Sequence, residues 1–366
     1  MGDNNLGFYI HVPFCKSKCP YCDFYSLTNI QNIQNYVDAV LSEIEKWGKK
    51  IDKAVDTIYF GGGTPSLLSA DNIVGILGAI KNNFRVIDPE VTLEVNPADF
   101  KFLDFEKLKF CGVNRISIGA QSLDDSQLKV LGRRHNAAEI FEAVDFIKKS
   151  GMDNISLDII LGTPNQNLEH IEEFVNYCGL SGIPHISAYM LKIEPNTPYY
   201  FNKDNFNFFS DDRLADIYLY TCKLMKKLGY DHYEISNFAK KGFESRHNLK
   251  YWNLDEYLGI GPSAHSFLGG KRFYYPKDLA EFIAKPKITN EEKLDSEKEL
   301  VMLGLRTKNG ITNEVFQNKL GYDIPASYFD KIKKFQKYGL VNSEEGRISL
   351  TESGFLLSNY IISEIL

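Results

Sequence analysis

From Gly7 onward the chain alternates short apolar runs with longer stretches of helical spacing. GFYIHVP (Gly7 to Pro13) is rich in aromatic and β-branched residues and reads as a strand, and apolar spacing predicts a helix over Asn35 to Trp47. VDTIYFGGG precedes a helical stretch from Ala70 to Phe84, and VTLEVNP precedes one near Phe102 to Phe110. NRISIGAQS, NISLDIILG and HISAYMLKI complete the series, with amphipathic segments at Ala137 to Lys149 and Leu168 to Tyr177 ahead of the last two. Six strand–helix units in series predict parallel strands joined by right-handed crossovers. Fewer than eight units predict an α/β fold built as a partial, TIM-like (β/α)6 barrel.

After about Tyr230 the pattern changes. YEISNFA, HNLKYW and YLGIGPSAH are aromatic- and Gly-rich without a clean helical period, and a charged helical region begins near Asn290. The close, GLVNSEEGRISLTESG, reads as a helix, a short hairpin and a final helix, in the manner of a winged helix. A boundary is drawn near residue 240. Residues 1–240 form the barrel unit, and 241–366 form a smaller, α-rich C-terminal domain. No internal repeat of about 20–50 residues is present.

Length and composition agree with two units. The 366 residues exceed the ~150 of a typical domain, and 43% apolar with 25% charged residues exclude disorder, collagen and coiled coil. Lys plus Arg at 42 against Asp plus Glu at 48 gives a net charge of −6, so no nucleic-acid partner is expected. No apolar stretch reaches the roughly 18 residues of a membrane-spanning helix. Peripheral membrane contact stays open. The start, MGDNNLGFYIHVPFC, carries an acid where a signal peptide needs bases, which predicts a cytoplasmic protein with reduced cysteines.

The six cysteines are unevenly placed. Cys15, Cys19 and Cys22 fall within eight residues, whereas Cys111, Cys178 and Cys222 are scattered and read as small apolar side chains. Three thiolates on a tight loop suit three corners of a [4Fe–4S] cluster, leaving one iron open. Structural zinc would need a fourth ligand, and His11 and Asp23 are poorly spaced for it. Gly61-Gly62-Gly63-Thr64-Pro65-Ser66 follows the second strand, where ligand loops sit in parallel α/β folds. A glycine triplet by itself marks only a tight turn. Glu94, Gln121, Arg133 and Asp158 are polar residues on or just after later strands. Singly each reads as a cap or surface residue; together they predict one polar cavity.

Cys-x3-Cys-x-Tyr-Cys after the first strand, with GGGTPS after the second, resembles the radical S-adenosylmethionine superfamily. The resemblance implies a cluster on Cys15, Cys19 and Cys22 and a bound S-adenosylmethionine. By it, Tyr9, Gly62 and Glu94 match positions that hold the cluster-bound S-adenosylmethionine. Gly63, Thr64, Gln121, Arg133 and Asp158 match positions around the cofactor region, including a second molecule in the porphyrinogen-oxidising relative. Tyr21 matches an aromatic position beside the cluster.

YIHVPFCKSKCPYCDF, LEVNP, IGAQS, LGRRH and HNLKYW narrow the resemblance to a coproporphyrinogen-oxidase-like group with two branches. One is oxygen-independent coproporphyrinogen III oxidase, an enzyme. The other is the HemW-type haem chaperones. The oxidase pattern has a further cysteine where this chain has Phe24, and a long N-terminal extension where 14 residues precede Cys15. His247-Asn248-x2-Tyr251-Trp252 matches the HNxxYW signature of the chaperone branch. The resemblance therefore implies haem as a ligand with His247 as a candidate axial ligand. It also implies haem-acceptor proteins as partners, among them respiratory enzymes, with bacterioferritin as an intermediate donor. From the residues alone, the His247 segment reads rather as an aromatic cluster at the domain boundary with a capping His-Asn pair, a preference the resemblance reverses. His11, inside the first strand, is read as structural.

Overall fold

The computed structural model describes residues 5–290 and 294–366. Six parallel strands lie side by side in chain order: β1 (Leu6–Val12), β2 (Val55–Gly62), β3 (Val86–Val95), β4 (Arg115–Gln121), β5 (Ile155–Leu161) and β6 (His185–Met190). The connections carry α1 (Ile33–Gly48), α2 (Ala70–Asn83), α3 (Phe105–Phe110), α4 (Asp125–Val130), α5 (Ala137–Lys149) and α6 (Leu168–Leu180). Parallel pairing needs such crossovers, because each strand must start again from the same end. From α2 to α6 the helices begin where side chains satisfy free N–H groups: Ser69 caps α2, and Asn136 with Glu139 forms a capping box on α5.

Beyond β6 come α7 (Pro198–Phe201), α8 (Asp211–Lys227) and the hairpin β7 (Asp231–Glu234) and β8 (Asn237–Ala239), with β8 antiparallel to β6. Then follow α9 (Arg246–Trp252), β9 (Tyr257–Ile260), β10 (His265–Leu268), β11 (Lys271–Tyr274), α10 (Leu279–Ala284) and β12 (Thr289–Asn290). β9 pairs parallel with β1, so the sheet has twelve strands in the order β12-β11-β10-β9-β1-β2-β3-β4-β5-β6-β8-β7. It is the expected partial barrel, extended at both edges. Residues 241–290, grouped with the C-terminal unit by the sequence reading, contribute four of those strands.

A separate small sheet forms from β13 (Ile311–Thr312), β14 (Val341–Glu344) and β15 (Arg347–Leu350). The helices Asn313–Leu320 and Ala326–Gln336 precede its hairpin, and Glu352–Leu356 and Ser358–Ile365 follow it. This is the strand–helix–helix–hairpin order of a winged helix. The HNLKYW segment corrects the sequence reading: it is the helix α9, seven residues long and too short to display a period. Among the described residues no helix is long and apolar enough to cross a membrane.

The strands sort their side chains by parity. Phe8, Ile10, Ile58, Phe60, Leu93 and Ile118 are fully buried in the apolar core under the helices. Each contributes about 1.5–3 kcal/mol relative to exposure. The alternate positions carry Tyr9 and His11, Thr57 and Tyr59, Thr92 and Glu94, Ser117, Asp158 and Ser187, among which Tyr9–Tyr59–Thr92, Glu94–Ser117 and Asp158–Ser187 are register partners. The outer face is an ordinary core. The inner face is polar, and that is where a ligand site is built.

Candidate functional site

The cysteine loop leaves the C-terminal end of β1. Cys15 N–H donates to Leu27 O (3.0 Å) and Leu27 N–H to Pro13 O (2.8 Å), closing the loop, while Cys22 N–H donates to Cys19 O (3.1 Å). Cys15, Cys19 and Cys22 are half-buried, and all six thiols are free. Cys178 and Cys222 are buried in the core as expected; Cys111, at the end of α3, is only half-buried. Phe24 is 65% exposed beside the loop.

The glycine loop presses against the cysteine loop. Gly63 N–H donates to Val12 O (2.8 Å) and Thr64 N–H to Phe14 O (2.7 Å). A Cβ on Gly63 would stand 2.6 Å from Phe14 O, so only glycine permits this approach. Gly62 has φ +108° and lies against the His11 ring. Thr64 Oγ1 donates to Cys15 Sγ at 3.4 Å. Arg133 reaches the same loop: Nη1 donates to Cys19 Sγ (3.6 Å) and Tyr21 Oη (3.3 Å), and Nη2 to Gly119 O (2.7 Å). Tyr21 in turn packs against Tyr199 of α7, with ring centroids 6.4 Å apart.

The polar strand residues converge below this loop. Gly61 has Tyr9, Tyr59 and Glu94 around its Cα, and Gly119 has Gln121 and Arg133. Tyr59 Oη donates to Glu94 Oε1 (2.8 Å), and Ser117 Oγ to Asp158 Oδ1 (3.4 Å). Burial pushes the Glu94 carboxyl up to about 7 and Asp158 up to about 6; the Asp158 charge adds to the rise at Glu94. Gln121 sits at φ +72°, at an irregularity in the β4–β5 pairing. Its Oε1 and the Nε of Arg133 are buried without a hydrogen-bond partner. Such orphans in a polar cavity mark atoms left for a ligand.

His11 is structural, as read from sequence. Its Nδ1 faces Tyr9 Oη (3.0 Å) and its Nε2 faces Tyr25 O (2.9 Å), and burial lowers its pKa to about 4. With both nitrogens engaged it does not supply a fourth metal ligand.

His247 approaches this group from the N-terminal ends of β1 and β2, where its ring stacks on Tyr9 and Tyr59. The residue is 1% exposed, with Nδ1 facing Thr57 Oγ1 (2.9 Å) and Nε2 facing Tyr251 Oη (2.7 Å). Glu90 accepts the N–H groups of Arg246 (3.1 Å) and His247 (3.0 Å), and Lys250 pairs with Asp56 (2.8 Å). Both ring nitrogens of His247 are thus engaged by side-chain hydroxyls in this structure. Sequence reading also missed Asp99, which pairs with both Lys16 and Arg134 across the loops.

The donor set fits the [4Fe–4S] cluster implied by the motif. Three free thiols share one loop, two of them with hydrogen-bond donors already aimed at sulfur. Among the described residues no three His, Cys, Asp or Glu side chains gather around a single ion; a cubane asks instead for one thiolate per iron.

Comparison with known proteins agrees with the geometry. The Radical SAM superfamily profile matches residues 9–178 and the HemN C-terminal domain profile matches 288–357. The heme chaperone HemW of Lactococcus lactis is 35% identical over 369 residues, covering 98% of this chain and 96% of its own. That of Bacillus subtilis is 33% identical, covering 98% of each. The solved coproporphyrinogen III oxidase (HemN) of Escherichia coli superposes with a TM-score of 0.83 over 99% of this chain and 90% of its own, at 20% identity, a likeness of fold. Identity at this level along nearly the full length shows that the chain belongs to the HemW heme chaperone family of the radical SAM superfamily.

Proposed function

We propose that the protein binds haem and delivers it to acceptor proteins in the cytoplasm, using a [4Fe–4S] cluster and S-adenosylmethionine at the cysteine loop. The observation that carries this reading is the near-full-length match to heme chaperones, together with Phe24 in place of the oxidase's further cysteine. Respiratory enzymes are the proposed acceptors, with bacterioferritin as an intermediate donor.

In this reading Cys15, Cys19 and Cys22 would hold the [4Fe–4S] cluster, with S-adenosylmethionine bound beside it. When bound, the pair supplies reductive cleavage of a sulfonium. The chain's own residues orient and tune it. Thr64 and Arg133 donate to the sulfurs of Cys15 and Cys19, which favours the more negative, reduced state. Gly62 and Gly63 let backbone groups approach the ligand's amino and carboxylate ends. Tyr9 and Glu94 would face the same ligand, with Asp158 or Glu94 accepting its ribose hydroxyls. Gln121 Oε1 and Arg133 Nε offer the unused polar atoms. Tyr21 and Tyr199 shield the loop's outer side.

Two measurements test the function. Haem titration followed by transfer to an apo-acceptor should show binding and handover. Anaerobic incubation with coproporphyrinogen, S-adenosylmethionine and a reductant should leave the substrate intact. Protoporphyrinogen and carbon dioxide as products would identify an oxidase instead.

A further inference from the structure

Asp99 lies in the 3-10 turn Pro97–Phe102 just after β3 and has no exposed surface. Its carboxylate takes cations from two different loops. Lys16, the residue after Cys15, places Nζ 2.9 Å from Oδ1. Arg134 places Nη2 2.6 Å from Oδ2 and Nη1 3.4 Å from Oδ1, a two-pronged contact. Arg134 is the neighbour of Arg133, whose guanidinium reaches Cys19 Sγ. One buried carboxylate is therefore tied to the residue beside Cys15 and to the residue beside the arginine on Cys19.

The turn that carries Asp99 is fixed in its own right. Asn96 caps it through Ala98 N–H (3.0 Å), and Asn96 N–H donates to Ser66 Oγ (3.1 Å) of the glycine loop. Lys16 and Arg134 are 38% and 22% exposed, against 1% for the Asp99 side chain. A buried ion pair adds little net stability, since desolvation offsets attraction. What it adds is geometry.

We infer that Asp99 is a positioning residue for the cluster: through Lys16 and Arg134 it holds the cysteine loop in the shape that receives iron and sulfide. The inference rests on the proposed cluster on Cys15, Cys19 and Cys22. Asp99 does not touch the sulfurs; it acts through the two cations. It also sets the local charge. Replacing it with a neutral residue leaves the loop more positive by one charge, which favours the reduced cluster and raises the midpoint potential. Removing Lys16's charge does the reverse.

The test compares anaerobically reconstituted full-length protein with Asp99→Asn and Lys16→Gln. Lys16 is partly exposed, so its variant folds whether or not the buried substitution does. Iron and sulfide content, the rate of cluster loss to a chelator and the midpoint potential are measured on each. The expected result is cluster loss about 10- to 100-fold faster in Asp99→Asn, the usual scale for residues that orient metal ligands. Lys16→Gln should lose its cluster faster than wild type, and the two potentials should move in opposite directions. Wild-type retention and potential in both variants would overturn the inference, and so would potentials that shift the same way, as simple loosening predicts. If Asp99→Asn does not fold, an unchanged Lys16→Gln overturns it alone. Wild-type protein that takes up no iron and sulfide would instead defeat the cluster reading itself.

Discussion

The imidazole of His247 stacks on the phenol of Tyr59, with ring centroids 5.2 Å apart and 26° between the planes. Tyr59 in turn donates to Glu94, so the HNxxYW helix touches the same network of inward side chains as the cofactor site. The two ends of the barrel are thus joined through three residues. For His247 to ligate haem, it must give up its bonds to Thr57 and Tyr251, at about 0.5–1.5 kcal/mol each. Tyr251→Phe removes one of those competitors while keeping the ring. If His247 is the ligand, haem affinity should rise about fivefold, for roughly 1 kcal/mol released. Affinity and absorption spectrum unchanged in both Tyr251→Phe and His247→Gln would remove His247 from the haem site.

Thr64→Val deletes the hydroxyl that donates to Cys15 Sγ and keeps the β-branched shape. The backbone bond from Thr64 N–H to Phe14 O is untouched, so the loop should keep its form and its iron content. One fewer hydrogen bond to a cluster sulfur should lower the midpoint potential. Redox titration of the reconstituted protein checks this, and an unchanged potential would separate Thr64 from the cluster.

With Glu94 as a contact of S-adenosylmethionine, binding should depend on pH. Its carboxyl titrates at about 7 because it is buried, and only the ionised form offers every oxygen lone pair to ribose hydroxyls or a cationic ligand. Affinity should fall as pH drops from 8 to 6, by up to about tenfold per unit below the pKa. Glu94→Gln should bind weakly at every pH, with a flat profile. Equilibrium binding under anaerobic conditions measures both, and a wild-type profile that stays flat would set Glu94 outside the site.

Much of this site is legible in the chain. The cysteine spacing and the glycine triplet identify themselves locally, and the polar residues Glu94 and Asp158 stand out within apolar strands. Helices with a long amphipathic face, such as Ala137–Lys149, appear where their spacing puts them. What stays hidden depends on distance along the chain. Lys16 and Asp99 are 83 residues apart, and both read as ordinary surface charges until the fold brings them together. His247 and Thr57, 190 residues apart, are hidden in the same way. The helix around His247 is stabilised by the Glu90 carboxylate at its N-terminus, a tertiary partner that no local pattern can reveal.

His135 sets the acid side of apo-protein stability. It is 4% exposed, its Nε2 faces Ala120 O (3.1 Å), and its Nδ1 is buried without a partner. Burial holds its pKa at about 3; Arg133 and Arg134 oppose a positive charge there, while Asp99 favours one. The unfolded chain binds a proton near pH 6.5 that the folded chain refuses until about 3, so stability falls as pH drops between those values. The slope is about 1.4 kcal/mol per pH unit. Glu94, Asp158 and Glu234 act in the opposite sense, because their raised pKa values let the folded state take up protons first. Comparing one variant with wild type cancels those shared contributions. His135→Gln can keep a donor to Ala120 O and cannot charge. Denaturant unfolding at pH 7 and pH 5 should show wild type losing more stability than the variant, by about 2 kcal/mol. Equal losses would show that His135 takes up its proton in the folded protein.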